Sequence, residues 1–147
     1  MKFAQFIAVI LTALALVPSG AHLFELTNKI ALDESNYFIV QTIYRGWDLF
    51  GLVLIGAVLA NLALAYEMRG QRAAMGLVLV NLLCLIGTLM IFFAFTFPAN
   101  QATANWTQMP ANWQTLRWQW EISHAANAVI TFVGFCSLTI SLLLARR

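Results

Sequence analysis

Two histidines and two glutamates are the residues of this chain whose types and spacing could do chemistry. His22 lies three residues before Glu25, and Glu121 lies three residues before His124. Residues three apart share one face of a helix, so each pair would point an imidazole and a carboxylate the same way. Each pair also lies at one end of a long apolar run, where ionisable groups are costly and usually functional. The four side chains are therefore candidate ligands of one metal ion, or members of one proton path.

Composition places these pairs in a membrane protein. The 147 residues are 61% hydrophobic and 10% charged, whereas soluble domains carry about 25% charged residues. Four apolar runs reach the roughly 20 residues that a bilayer-spanning helix needs, at about residues 3–21, 47–66, 73–97 and 122–145. The sequence therefore predicts an all-α fold: an up-down-up-down transmembrane four-helix bundle, in one domain over residues 1–147, with outer segments 22–46 and 98–121. Its predicted surroundings are lipid, and it has no nucleic-acid-binding patch.

The first apolar run has a second interpretation. Met1 and Lys2, the apolar core and the small residues of Pro18–Ala21 are also typical of a secretory signal. Cleavage after Ala21 would make His22 the new N-terminus. The apolar helical pattern continues past that point, which favours a retained helix; its residues are Leu23, Phe24, Leu26 and Ile30.

Basic residues predict the orientation of the bundle. A cytoplasmic set would contain Lys2, Arg69, Arg72, Arg146 and Arg147, leaving Lys29, Arg45 and Arg117 outside. This distribution satisfies the positive-inside bias with both termini in the cytoplasm, as in a protein of a bacterial inner membrane. All five tryptophans then fall on the outer side.

The outer segments contain further polar residues that could join the two pairs. Asp33 or Ser35 is a suitable N-cap for a helix that runs through Tyr37 into the second span. On that helix one polar stripe is expected, formed by Tyr37, Gln41, Tyr44 and Asp48. On the last helix Arg117, Glu121 and His124 recur at i, i+4 and i+7 and share a face. Because the first and last helices of such a bundle are neighbours, the His/Glu pairs should meet in a pocket open to the outside, with Asp48 nearby.

Three functional classes follow from such a pocket. In an oxidase or oxygenase of a small aromatic or quinone-like molecule, His124 or His22 would act as base or ligand. The apolar wall would be formed by Trp113, Trp118, Trp120 and Tyr44. In a haem- or metal-binding protein, His22 and His124 would be axial or direct ligands. In a structural or accessory subunit, the histidines and glutamates would be hydrated or paired with Arg45, Arg117 and Lys29, and such exposed pairs contribute little.

Other residues indicate structure. Cys84 and Cys136 lack the close spacing of a redox or zinc pair, which predicts unpaired buried thiols. Asn61 and Asn81 fall within the second and third spans, where an interhelical hydrogen bond is the expected use. The Gly56-x-x-x-Ala60 spacing favours close helix packing.

Three runs of the chain resemble the anthrone-oxygenase-like family. They are Val17–Ile30, Tyr44–Trp47 and Trp113–Ala128. The family consists of small four-helix membrane proteins, most of them catalogued only as a domain of unknown function. The resemblance implies oxidation of polyketide anthrones to anthraquinones with dioxygen, and it puts His124, Arg117, Trp113 and Trp120 at the motif positions. Asn127 stands where many relatives carry Arg, so the resemblance does not fix the specific substrate. The expected ligand is a small hydrophobic aromatic molecule.

Overall fold

The computed structural model describes residues 2–145, so Met1, Arg146 and Arg147 and their predicted cytoplasmic charges lie outside it. Six α-helices follow one another: α1 (Lys2–Lys29), α2 (Glu34–Gln41), α3 (Phe50–Glu67), α4 (Arg72–Ile91), α5 (Phe97–Ala102) and α6 (Trp113–Leu144). Two 3₁₀-helices, Thr42–Tyr44 and Trp47–Leu49, precede α3, and a π-helix, Phe92–Thr96, joins α4 to α5. The described residues contain no strand, and the predicted all-α class is confirmed.

Four stretches are long and apolar enough to cross a membrane: Lys2–Lys29, Trp47–Glu67, Arg72–Ala102 and Trp113–Leu144. Large apolar side chains on their outer surfaces are exposed, including Phe24 at 83% and Leu143 at 80%. Lipid tails can cover such surfaces, as expected of an integral membrane protein. The helices pack in a closed ring, with α1 on α3, α3 on α4, α4 on α6 and α6 on α1. This arrangement is compatible with the predicted up-down-up-down bundle.

The first and last helices extend well beyond the apolar runs that predicted them. The predicted first span ends at residue 21, whereas α1 has 28 residues and continues to Lys29. At 1.5 Å per residue α1 is about 42 Å long, more than the ~30 Å hydrocarbon core. Likewise α6 begins at Trp113, before the predicted start at residue 122. Both His/Glu pairs therefore lie within continuous helices, which fixes their faces relative to one another.

The segment between α1 and α3 differs from the prediction. Asp33 does cap α2, because its carboxylate accepts the backbone N–H of Asn36 at 2.9 Å. That hydrogen bond lowers the pKa of Asp33. The predicted helix that runs through Tyr37 into the second span is wrong. It ends at Gln41, and Gly46, with φ +86°, makes a left-handed turn between the two 3₁₀-helices. Glycine adopts this left-handed conformation without a Cβ penalty. We call residues 30–49 the cap segment.

A polar cluster ties the middle of the bundle together. Asn81 on α4 donates to the side-chain oxygen of Asn61 on α3 at 2.9 Å, and Asn61 donates to Thr12 on α1 at 3.2 Å. The predicted interhelical hydrogen bond is thereby confirmed, and it reaches a third helix. Gly134 on α6 lies so close to this cluster that an added Cβ would be 2.5 Å from Asn81 Oδ1. Gly56 lies 3.4 Å from Leu11 by the same measure, in line with its predicted packing role.

The end of the bundle remote from the histidines is closed by apolar side chains. Its buried cluster contains Ala8, Leu64, Ala65, Met68, Ala74, Val78 and Leu138. Cys84 and Cys136 are free, as predicted, but half-buried instead of buried. The buried ionisable side chains, His22, Lys29 and Glu121, lie at the opposite end.

The π-helix at Phe92–Thr96 directly precedes Pro98. Proline has no N–H to donate, and its ring clashes with the carbonyl four residues earlier, so a wider turn relieves the contact. Gln119 on α6 donates to the carbonyl of Phe95 at 2.7 Å. The Thr96 and Ser123 hydroxyls also lie 2.7 Å apart. These contacts fasten the widened turn to α6 beside Glu121.

Candidate functional site

The two histidines meet at one end of the bundle. His22 of α1 and His124 of α6 have ring centroids 4.1 Å apart and planes inclined by 34°, so the predicted approach of the imidazoles is confirmed. His22 is buried and His124 is half-buried. Trp120 packs against both rings, with centroid distances of 4.9 Å to His22 and 4.2 Å to His124. Tyr44 and Trp47 of the cap segment cover His22 at 4.6 and 5.5 Å.

His22 and Glu25 form a hydrogen-bonded dyad. Nδ1 of His22 lies 2.8 Å from Oε1 of Glu25. A carboxylate can only accept, so the hydrogen bond assigns the proton to Nδ1 and leaves a lone pair on Nε2. A carboxylate that holds one imidazole nitrogen in this way orients the other as a base or ligand. The predicted shared face of His22 and Glu25 therefore gives a chemically useful arrangement.

Glu121 does not form the matching pair with His124. Its Oε1 lies 3.0 Å from Nζ of Lys29 and accepts the Tyr37 hydroxyl at 2.9 Å. Gln41 in turn donates to the Tyr37 hydroxyl oxygen at 2.6 Å. Glu121 is fully buried, and its Oε2 has no hydrogen-bond partner within residues 2–145. The Glu121 carboxylate thus pairs with Lys29 of α1 and accepts a hydrogen bond from Tyr37 of the cap segment.

Lys29 lies at the centre of the site, whereas the sequence predicted for it an outer position and, in a structural subunit, pairing with the histidines and glutamates. Its side chain is 3% exposed, and besides Glu121 it lies 3.6 Å from Glu25 Oε1 and donates to the Tyr44 hydroxyl at 2.8 Å. Tyr44 also donates to Glu25 Oε1 through a very short contact. The sequence spacing could have indicated this position, since His22, Glu25 and Lys29 follow at i, i+3 and i+7 and share a helix face.

The two tyrosines of the cap segment stay protonated. Burial raises the pKa of Tyr37 far above its ordinary value, and the negative charge of Glu121 adds to the effect. Burial raises the pKa of Tyr44 in the same direction, with its hydrogen bond to Glu25 as the next cause. Both hydroxyls therefore act as hydrogen-bond donors to carboxylates.

Arg117, predicted to act beside His124, lies instead at the edge of the site. Its guanidinium donates to the carbonyl of Leu32 at 2.8 Å and lies 4.7 Å from the Trp113 ring and 5.3 Å from the Tyr37 ring. It therefore fastens the cap segment to α6. Trp113 packs on Tyr37 at 6.1 Å, away from the imidazoles.

Two predicted pocket residues lie on the surface. Asp48, expected near the histidines, is exposed in the second 3₁₀-helix. Trp118, expected in the aromatic wall, is 54% exposed. The two corrections have different causes: Gly46 turns the chain before Asp48, whereas Trp118 lies two residues from Trp120 and so on a different face of α6.

Asn100 is a further site residue without a local sequence signal. Its Oδ1 accepts both the Trp106 indole N–H at 3.1 Å and the Trp120 indole N–H at 2.8 Å. Trp106 reaches this position through three successive left-handed residues, with φ of 47° at Ala104, 56° at Asn105 and 63° at Trp106. Left-handed backbone is unfavourable for residues with a Cβ, and the turn is held by Thr103, whose hydroxyl accepts the Trp106 backbone N–H at 3.0 Å.

The predicted metal ligands do not assemble into a metal site. Among residues 2–145, no group of three or more His, Cys, Asp or Glu side chains has a geometry that could hold a metal ion. The reason is that the Lys29 ammonium already contacts both carboxylates. A haem between His22 and His124 does not fit either, because the two ring centroids lie only 4.1 Å apart with planes inclined by 34°, whereas haem iron bound by both imidazoles would have to lie between them.

Comparison with known proteins names no family for this chain. No protein-family model, curated protein or solved structure matches it. The interpretation of the site therefore depends on its geometry: an imidazole oriented by a carboxylate, an aromatic surround and a buried cation between two carboxylates.

Proposed function

We propose that this protein is a membrane-embedded oxidoreductase that uses His22 as a general base on a small aromatic or quinone-like molecule. The observation that supports this most directly is the 2.8 Å contact of Glu25 with Nδ1 of His22. It leaves Nε2 available to take a proton. The rings of His124, Trp120 and Tyr44 around His22 would favour an aromatic ligand.

The chemistry of such a site needs only a base and dioxygen. His22 would remove a proton from an acidic ring C–H or phenolic O–H, and the resulting anion would react with dioxygen. For an anthrone-like ring the overall change is CH₂ + O₂ → C=O + H₂O. The Lys29 ammonium, 2.8 Å from the Tyr44 hydroxyl, would favour negative charge that develops on ligand oxygen near it. No step requires a resident metal or haem.

The resemblance to the anthrone-oxygenase-like family supports the same reaction class. We propose that the site lies on the outer side of a bacterial inner membrane and that both termini are cytoplasmic. The exposed basic residues support this orientation: Arg69 lies in the turn between α3 and α4, and Arg72 begins α4. Basic residues favour the cytoplasmic side. A hydrophobic aromatic would then reach the site from the outer leaflet or from outside the cell.

The test is oxygen consumption by the detergent-purified protein with 1,8-dihydroxyanthrone as substrate. Wild type should consume oxygen and form the quinone chromophore well above the spontaneous rate, and His22→Ala should return the rate to that background. Tyr66→Phe, which removes an exposed hydroxyl elsewhere, is a control expected to behave as wild type. A wild-type rate equal to that of His22→Ala would refute the proposal. Metal analysis and an absorption spectrum of the same preparation test the haem and metal alternatives.

A further inference from the structure

Lys29 carries a positive charge into the interior of the site. Its side chain is only 3% exposed, and lysine is almost never so buried unless it is paired. Two carboxylates on different helices are its partners, Glu25 of α1 at 3.6 Å and Glu121 of α6 at 3.0 Å. The site would otherwise hold two adjacent negative charges, so the ammonium balances them.

Aromatic rings complete a cage around this ammonium. Nζ of Lys29 lies 4.2 Å from the centroid of the Tyr44 ring and 4.3 Å from that of Trp120. Both distances fall within the roughly 6 Å over which a cation is attracted to a ring face. Trp120 also packs on both imidazoles. The cage and the histidine pair therefore share a wall.

One carboxylate oxygen links the cage to the base. Oε1 of Glu25 receives the Nδ1 contact of His22, the hydroxyl of Tyr44 and the longer contact from Lys29. Lys29 also holds Tyr44, through the 2.8 Å hydrogen bond to its hydroxyl oxygen. Movement of the ammonium would thus release two of the contacts that fix this oxygen against His22.

We propose that Lys29 is a positioning residue: its caged ammonium holds Glu25 so that His22 keeps its proton on Nδ1 and presents Nε2 as the free base. This role deepens the proposed function, because it assumes that His22 is the base. A lysine that only filled the space between α1 and α6 would contribute stability without affecting the proton of His22. The state of the imidazole therefore distinguishes the two roles.

Nitrogen NMR on protein labelled with ¹⁵N-histidine measures this state without any substrate, and the chain has only two histidines. Wild type should show the signal of an unprotonated Nε2 at His22. Lys29→Met keeps most of the side-chain volume and removes the charge, so the ratio of the Nδ1-protonated to the Nε2-protonated form of His22 should fall about tenfold, the factor that corresponds to one hydrogen bond to a charged group. Lys2→Met removes an exposed lysine and should leave the spectrum unchanged. An unchanged His22 signal in Lys29→Met overturns the proposal.

Chemical rescue separates the charge from packing. In Lys29→Ala, propylammonium can enter the cage and should restore the wild-type His22 signal, whereas 1-propanol should not. Equal restoration by both compounds would mean that Lys29 only fills space, and restoration by neither would exclude a cage specific for the ammonium.

If the Lys29 variants do not fold, Tyr44→Phe keeps the cation and removes the hydroxyl that links it to Glu25. A folded Tyr44→Phe protein with the wild-type His22 signal would also contradict the proposal. Inactivity toward anthrones with the expected NMR result would reject the proposed function alone.

Discussion

His22 and His124 lie with their ring centroids 4.1 Å apart, although one belongs to the first helix and the other to the last. The contact brings an oriented imidazole next to a second ring that has no carboxylate partner of its own. The contact leads to separate expectations for His124 and for Glu121, which pairs with Lys29 instead of His124.

His124→Ala should abolish activity while leaving the fold nearly intact. The side chain is half-buried and forms part of the site wall, and its loss opens no large cavity among the packed middles of the helices. Oxygen consumption and thermal unfolding of the same preparation check this. A strongly lowered melting temperature with unchanged activity would assign His124 to structure.

Glu121→Gln should affect stability more than His124→Ala does. Gln keeps the shape of the side chain but leaves the buried Lys29 ammonium without its 3.0 Å partner. Breaking a buried ion pair by removing one member costs about 3–5 kcal/mol. Glu34→Gln, a charge removal on the exposed first turn of α2, is the matched control. Similar melting temperatures for both variants would show that the Lys29 pair is not important for stability.

Gly134→Ala should destabilise the bundle. The added methyl group would lie 2.5 Å from Asn81 Oδ1 and 2.9 Å from Cys84 Cβ, and overpacking of this kind costs about 1–3 kcal/mol. Gly87→Ala meets nothing within 4 Å and should be neutral or slightly stabilising, as alanine is the better helix former. Melting temperatures in detergent compare the two, and the reverse order would contradict the close approach of α6 to Asn81.

Asn100→Ala should loosen the aromatic cluster over the site. It leaves two largely buried indole N–H groups, of Trp106 and Trp120, without an acceptor, at a cost of about 1–3 kcal/mol each. Tryptophan fluorescence should shift as well. Asn112→Ala removes an asparagine whose side chain makes no capping hydrogen bond on α6 and should change neither stability nor fluorescence.

The predicted topology can be tested with two exposed positions in a background in which Cys84 and Cys136 are serines. Ala104 lies in the turn beside the histidines, and Gly70 lies in the turn between α3 and α4. Ala104→Cys should react with a membrane-impermeant maleimide in intact cells, and Gly70→Cys only after permeabilisation. The opposite pattern would invert the proposed orientation.

Sequence patterns predicted the parts of this protein that depend on period and hydrophobicity. The four apolar runs, the Asp33 cap and the meeting of His22 with His124 all follow from such patterns. What they could not predict depends on contacts between distant segments. Glu121 pairs with Lys29 and Tyr37 because α1, α6 and the cap segment converge, and Asn100 receives two indoles only because the chain turns left-handed before Trp106.

The π-helical turn changes which residues of the third span face the interior. Successive helical residues rotate by about 100°, so in an uninterrupted α-helix the residue seven positions after Thr88, Phe95, would return to the same face. Instead Phe95 is 50% exposed and Thr96 is 1% exposed. The wide turn thus shifts the register of the helix by one residue, so that the Thr96 hydroxyl, and not the Phe95 ring, lies opposite Ser123. Deleting one residue of Phe92–Phe95 would place Thr96 seven positions after Thr88, so a regular α-helix would then keep the Thr96 hydroxyl opposite Ser123 without the wide turn.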